Sequence, residues 1–134
     1  MQSGLSNVRA PLCVDATADD WTLPAEIAES LAAIVCINMI HISPWSAALG
    51  VLRGAGRLLP PGGVLFLYGP YRRGERHTAP SNETFDRDLR TRNPDWGVRN
   101  VEDVVAEGVA QRLALAEIVE MPANNLSVLL HRRV

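Results

Sequence analysis

The residues best suited to chemistry cluster in Asn38-Met39-Ile40-His41-Ile42-Ser43-Pro44-Trp45, directly after an apolar run. An imidazole such as that of His41, with an ordinary pKa of about 6.5, suits removal of a proton from an oxygen or nitrogen nucleophile. The competing reading is a hydrogen-bonded loop histidine that orders the helix after it. Tyr71, in Tyr68-Gly69-Pro70-Tyr71, is the second catalytic candidate. Tyr68 and Trp45 can wall or stack on a planar substrate, or simply pack. Ser43 fits a cap for a helix opened by Pro44 better than a nucleophile, since no acid–histidine set accompanies it. Arg72, Arg73 and Arg76 can take an anionic group, although a solvated loop is the simpler reading.

Other chemistries are excluded by what the chain does not contain. All thirteen basic residues are arginine, so lysine nucleophiles and Schiff bases are out of reach. Cys13 and Cys36 read as small apolar side chains buried in strands, and His41, His77 and His131 share no metal-ligand spacing with them. No Gly-x-Ser-x-Gly elbow is present. A net charge of −2 with both signs interspersed argues against a nucleic acid or membrane partner. No apolar run reaches the roughly 18 to 20 residues of a membrane span. The opening Met1-Gln-Ser-Gly-Leu-Ser-Asn-Val-Arg lacks the charged-then-apolar pattern of a secretory leader. Cytoplasmic localisation is therefore expected. With 134 residues, 47% apolar and 21% charged, the composition is that of one globular domain.

The elements that must position these residues follow from periodicity and breakers. Residues 12–15 read as a short strand entered through Pro11, and residues 25–31 as two helical turns. Residues 33–38 are short and near-continuously apolar, as in a strand buried on both faces of a parallel sheet. Leu49, Leu52, Ala55 and Leu59 define a helix from Pro44 that Pro60-Pro61-Gly62-Gly63 stops. Residues 64–68 form a second apolar strand. The polar stretch 71–100 holds one helix, about 83–92, with Ser81 or Asn82 as cap. Asn100 caps another whose apolar face is Val101, Val104, Val105, Val109 and Leu113, with Glu102 and Asp103 suiting its dipole. Residues 115–121 and 126–131 close as antiparallel strands around Pro122-Ala123-Asn124-Asn125, where the asparagines tolerate left-handed backbone. Strand–helix alternation predicts an α/β fold with a mostly parallel sheet, an antiparallel last strand, and ligands at the carboxyl ends of the strands.

Five motifs carry a closer likeness: Asn38-Met39-Ile40-His41-Ile42-Ser43-Pro44, Leu67-Tyr68-Gly69-Pro70-Tyr71, Ser81-Asn82 with Phe85-Asp86, Arg92-Asn93-Pro94-Asp95-Trp96-Gly97 and Met121-Pro122-Ala123-Asn124-Asn125. In this order, over about residues 7–132, they resemble the methyltransferase-like family known as UPF0585 or DUF938, which includes the methyltransferase-like 26 proteins. The resemblance implies a Rossmann-like class I methyltransferase fold, with S-adenosylmethionine as cofactor and a small molecule as methyl acceptor. It implies cofactor contacts at Asp15, Ala16, Asn38 and Met39, with Asp15 or the following amide near the adenine; a turn-capping role is the alternative for Asp15. It implies substrate contacts at Trp45, Tyr68, Asn82, Asn124 and Asn125. Family members open with a glycine-rich strand-to-helix turn that this chain lacks. The expectation is thus a single incomplete domain, equivalent to strands three to seven. Such a chain would be inactive alone, with residues 33–38 presenting an open edge for self-association or a partner.

Overall fold

A computed structural model describes residues 4–134; residues 1–3, part of the stretch read as lacking a leader, lie outside them. A four-residue helix α1 (Ala25–Ala28) precedes strand β1 (Ala33–Ile37), a 3-10 turn (Met39–His41) and helix α2 (Trp45–Leu58). Strand β2 (Val64–Gly69) leads into a small hairpin of β3 (Arg72–Arg73) and β4 (Arg76–His77). Helices α3 (Pro80–Arg92) and α4 (Val101–Ala110) follow, and strands β5 (Leu113–Met121) and β6 (Asn125–Arg132) complete the chain.

The main sheet has the order β1-β2-β6-β5. Strands β1 and β2 pair in parallel, while β6 lies antiparallel between β2 and β5. Three strands therefore point one way and the last runs against them, as the α/β reading requires. Leu65, Leu67, Val128 and Leu130 project from one face of this sheet and are fully buried with Leu52, Ala55 and Val104 of α2 and α4. Each such side chain contributes about 1.5–3 kcal/mol. A bulge at Ala116 breaks the β5–β6 register, pairing Leu115 with Leu130 but Glu117 with Leu129. Leu115 and Ile118 consequently share the helix-covered face despite being three residues apart.

Several expectations are corrected. Residues 12–15 form no strand and Leu12, Cys13 and Val14 are exposed, because among the described residues nothing lies beside them to pair. The 33–38 run is covered on one face only: Val35 is 62% and Ile37 58% exposed. Helix α3 starts at Pro80, whose fixed φ suits the first helical position, so Ala79 and not Ser81 or Asn82 is the N-cap. Asn100 is the N-cap of α4, but its side chain bonds Asp103 rather than a backbone amide. The buried face of α4 is Val101, Val104 and Gly108; Val109 points out, and Leu113 belongs to β5. Pro44 itself is the N-cap of α2, and the Ser43 hydroxyl instead donates to Met39 O at 2.6 Å. In the last connection Ala123 and Asn124 are left-handed (φ 61° each), whereas Asn125 is extended and begins β6. The 25–31 helix shortens to α1. No helix among the described residues is long and apolar enough to cross a membrane.

The loop before α1 is docked by absence of side chain. A Cβ on Gly50 would overlap the carbonyl of Ala16, and one on Gly54 would overlap the indole of Trp21. Arg53 and Arg57 add hydrogen bonds to the carbonyls of Thr17 and Asp19. Gly50→Ala is therefore expected to destabilise by about 1–3 kcal/mol. Ser46→Ala, on the exposed side of α2, should stay within about 0.5 kcal/mol of the parent. Urea unfolding followed by tryptophan fluorescence measures both; equal stability of the two variants contradicts the close packing.

Candidate functional site at the carboxyl ends of the strands

Parallel pairing brings the ends of β1 and β2 together, and β6 begins beside them: Ile37 lies opposite Tyr68, Gly69 opposite Leu126, and Met121 opposite Asn125. The Asn38 amide donates to Tyr68 O at 2.8 Å while its backbone turns left-handed (φ 59°). This reversal starts the 3-10 turn and carries His41 back under the sheet end.

His41 is completely buried. Its Nδ1 accepts the Arg99 amide at 3.1 Å, and its carbonyl accepts the Gly97 amide at 2.9 Å. An Nδ1 that accepts assigns the ring proton to Nε2. That Nε2 faces Gly69, where a Cβ would come within 2.5 Å, and it has no hydrogen-bond partner among the described residues. Tyr71 is equally buried, meets the imidazole edge-on at 4.8 Å between centroids, and has an unpartnered hydroxyl. Burial raises the Tyr71 pKa far above its usual value. Burial first, and then the positive charge of Arg99, lower His41 to about 4, against smaller opposing effects of the Gly97 backbone and of Asp86. Held this way, His41 is a neutral Nε2–H donor whose remaining lone pair is already used.

Two residues that the sequence did not single out hold this arrangement. Arg99 donates from Nε to Ile40 O at 3.1 Å and from Nη2 to the carbonyls of Ser43 and Asp95, both at 2.8 Å. It also stacks on Trp45 at 5.6 Å. Asp86 of α3 accepts the Val98 amide at 2.8 Å, meets Arg90 at 3.0 Å and faces His77 at 3.3 Å. Burial alone would raise its pKa; the Val98 amide, Arg90 and His77 reverse this and leave it below the ordinary value. Phe85-Asp86 and Arg92 to Gly97 were motifs of the resemblance, which was the available signal for Asp86, whereas an arginine among thirteen offered none.

The remaining candidates separate into groups. Asn82 is buried and donates from Nδ2 to Thr78 Oγ1 and to Asn124 O, each at 3.1 Å. Asn124 and Asn125 line a cleft of about 190 Å³ together with Arg73, Thr78 and Met121. Trp45 lines a different one with Arg99. Tyr68 is half-buried on the sheet face opposite α2. Met39 is half-buried against the core. Asp15 is exposed, and its Oδ1 accepts the Thr17 amide at 2.9 Å and hydroxyl at 2.7 Å; those bonds, hydroxyl first, lower its pKa. Ala16 is pinned on Gly50. Among the described residues no three His, Cys, Asp or Glu side chains converge as metal ligands.

The neutral His41 makes stability pH-dependent. Because its folded pKa lies below the unfolded value of 6.5, its contribution is complete above 6.5 and is lost as pH falls towards about 4. The loss amounts to about 3 kcal/mol over that window. Denaturant midpoints measured across it should fall for the parent and flatten for His41→Gln, once carboxylate effects common to both are subtracted. A parent curve no steeper than the variant's rejects the buried neutral ring.

Comparison with solved structures supports the fold. Human N-acetylserotonin methyltransferase in complex with SAM superposes with a TM-score of 0.72 at 12% identity, over 90% of this chain and 32% of that one. PigF with SAH gives 0.69 at 13% identity, over 89% and 34%. An O-methyltransferase family protein from Burkholderia thailandensis gives 0.66 at 17% identity, over 83% and 33%. This chain thus has a class I methyltransferase-like fold and spans about a third of the length of these proteins. A family model matches residues 1–132 and shows that the chain belongs to DUF938, a protein family of unknown function.

Proposed function

We propose that this chain carries the acceptor side of an S-adenosylmethionine-dependent methyl-transfer site, acts on a small molecule in the cytoplasm, and does not turn over by itself. The observation that carries this reading is the convergence of Asn38, His41, Gly69 and Tyr71 at the carboxyl ends of β1 and β2, with two buried polar groups left unpartnered. Ligands of open α/β sheets bind at this end. When bound, the cofactor supplies an electrophilic methyl group. The residues present suit its adenosyl end: Asp15 offers a fixed, exposed carboxylate for an amino group, with Ala16 next to it in the chain, and Asn38 and Met39 follow directly on the end of β1. No glycine-rich turn for its amino-acid end occurs among the described residues.

In this reading His41 orients rather than deprotonates. Its Nε2–H and the Tyr71 hydroxyl donate to an oxygen of the acceptor once the corner at Gly69 opens. Trp45, Tyr68, Asn82, Asn124 and Asn125 shape the acceptor's surroundings, with Asn82 fixing the left-handed backbone at Asn124. Orientation and exclusion of water are the main requirements of an in-line displacement. Titration with S-adenosylhomocysteine, followed by amide NMR, is expected to move Asn38 and Met39 with a Kd no tighter than about 0.1 mM, roughly −5.5 kcal/mol. Unmoved Asn38 and Met39 signals reject the methyl-transfer reading; micromolar binding rejects the claim that the chain is incomplete as a catalyst.

A second reading, self-association, is favoured by β1. Among the described residues it is an edge strand paired with β2 alone, and it exposes Val35 and Ile37. Such an edge is a template for pairing with a second copy. Light scattering should then report a dimer that Val35→Lys returns to a monomer. A parent that stays monomeric at about 0.1 mM, a concentration at which even a weak interface of about −5.5 kcal/mol half-assembles, discards it.

A further inference from the structure

We infer that the cleft between the end of β2 and the start of α4 is a binding site for a small oxyanion, a carboxylate or phosphate group borne on a small molecule. The cleft holds about 270 Å³ and is lined by Trp45, Arg72, Arg90, Arg99, Asn100 and Asp103. Three guanidiniums therefore face one carboxylate, within a chain whose net charge is −2.

Backbone geometry builds this concentration of charge. The Arg72 amide donates to Arg99 O at 2.9 Å, and Arg72 forms a parallel bridge with Asn100. The exit of β2 is thereby stitched to the residues that enter α4. Arg90 is delivered from α3 by Asp86, which binds both its Nε and the Val98 amide.

The charges are poorly neutralised from within. Among the described residues, Arg72 and Arg99 form no ion pair. Arg99 spends its donors on the neutral carbonyls of Ile40, Ser43 and Asp95, and Arg72 places Nη2 on Glu75 O at 2.7 Å. Arg72 Nε and Asn100 Oδ1 are both buried without a partner. Arg90 shares Asp86 with His77. Asp103 accepts Asn100 Nδ2 at 3.2 Å. Burial and the neighbouring Arg90 charge both press the Arg99 pKa down, with Asp86 and Asp95 opposing them. Guanidinium stays charged at any working pH, so the strain is relieved by an anion and not by proton loss. An anion that also carries a hydroxyl, such as hydrogen phosphate or a 2-hydroxycarboxylate, offers acceptors to Arg72 Nε and a donor to Asn100 Oδ1.

Of the three arginines that stand out in the sequence between Tyr71 and His77, only Arg72 enters this cleft. Arg73 faces Glu120 at 3.7 Å and Arg76 is exposed.

Titration calorimetry of the full chain with sodium phosphate, and separately with lactate, at constant chloride, tests the assignment without requiring any activity. Saturable binding of at least one anion is expected, with a Kd on the order of 1–10 mM. Arg72→Gln should weaken it about tenfold or abolish it, while circular dichroism stays unchanged. Arg53→Gln, at a residue of α2 that binds Thr17 O and does not line the cleft, should leave it intact. The preferred anion identifies phosphate or carboxylate as the natural group. Two results overturn the assignment: no saturable binding of either anion up to about 50 mM, or equal losses in Arg72→Gln and Arg53→Gln. Neither result bears on the S-adenosylhomocysteine titration, so the two readings stand or fall separately.

Discussion

The guanidinium of Arg99 bonds three backbone carbonyls, two of them in and just after the turn that follows β1 and the third in the distant turn before α4. Its own amide fixes the tautomer of His41. A carbonyl buried without a partner costs about 1–3 kcal/mol, a penalty the side chain relieves at the buried Ile40, while the backbone amide of the same residue decides which imidazole nitrogen carries the proton. The site at the strand ends depends on this tie more than on any catalytic group. Without it, the contact between residues 40–43 and 95–99 rests on the Gly97 and Arg99 amides that bind His41.

The rest of the sheet shows what happens when such ties are lacking. One face is packed on α2 and α4, and Leu65, Leu67, Val128 and Leu130 at its centre are buried to completion. On the other, Val35 and Ile37 meet solvent. Exposed β-branched residues on an unpaired edge are unusual in a stable monomer. They account for the second reading of the molecule as a self-associating one, while the buried polar corner accounts for the first.

Most of the scaffold was legible because periodicity and breakers act locally. The run ending at Leu59, stopped by two prolines and two glycines, could only be a helix terminus, and the asparagines after Pro122 correctly mark a reversal. What was not legible depended on contacts distant in sequence. Residues 12–15 carry strand-forming side chains, yet a strand exists only with a neighbour. The hairpin of β3 and β4 hides in a polar stretch because its turn is Gly74-Glu75, with Glu75 at φ 64°, a residue that composition does not favour there. His41 was found by its type, but its burial and neutrality follow from Gly97, Arg99 and Gly69, none adjacent to it in sequence. The charge cleft was half visible: Arg72 stood in a conspicuous pair, whereas Arg90 and Arg99 joined it only through folding.

The irregularity in β5 has an outcome of its own. By inserting Ala116, the strand slips half a pleat, so Leu115 and Ile118 project to the same side while Glu117 turns to the other. A ribbon of alternating side chains thereby acquires, for three residues, the spacing of a helical stripe. Ungapped strand arithmetic applied across this position would invert every residue beyond it, placing Glu120 with Asn125 instead of Leu126. The phase of the entire carboxyl end of β5, including the point at which Met121 hands the chain to the asparagines, is therefore set by one unpaired alanine.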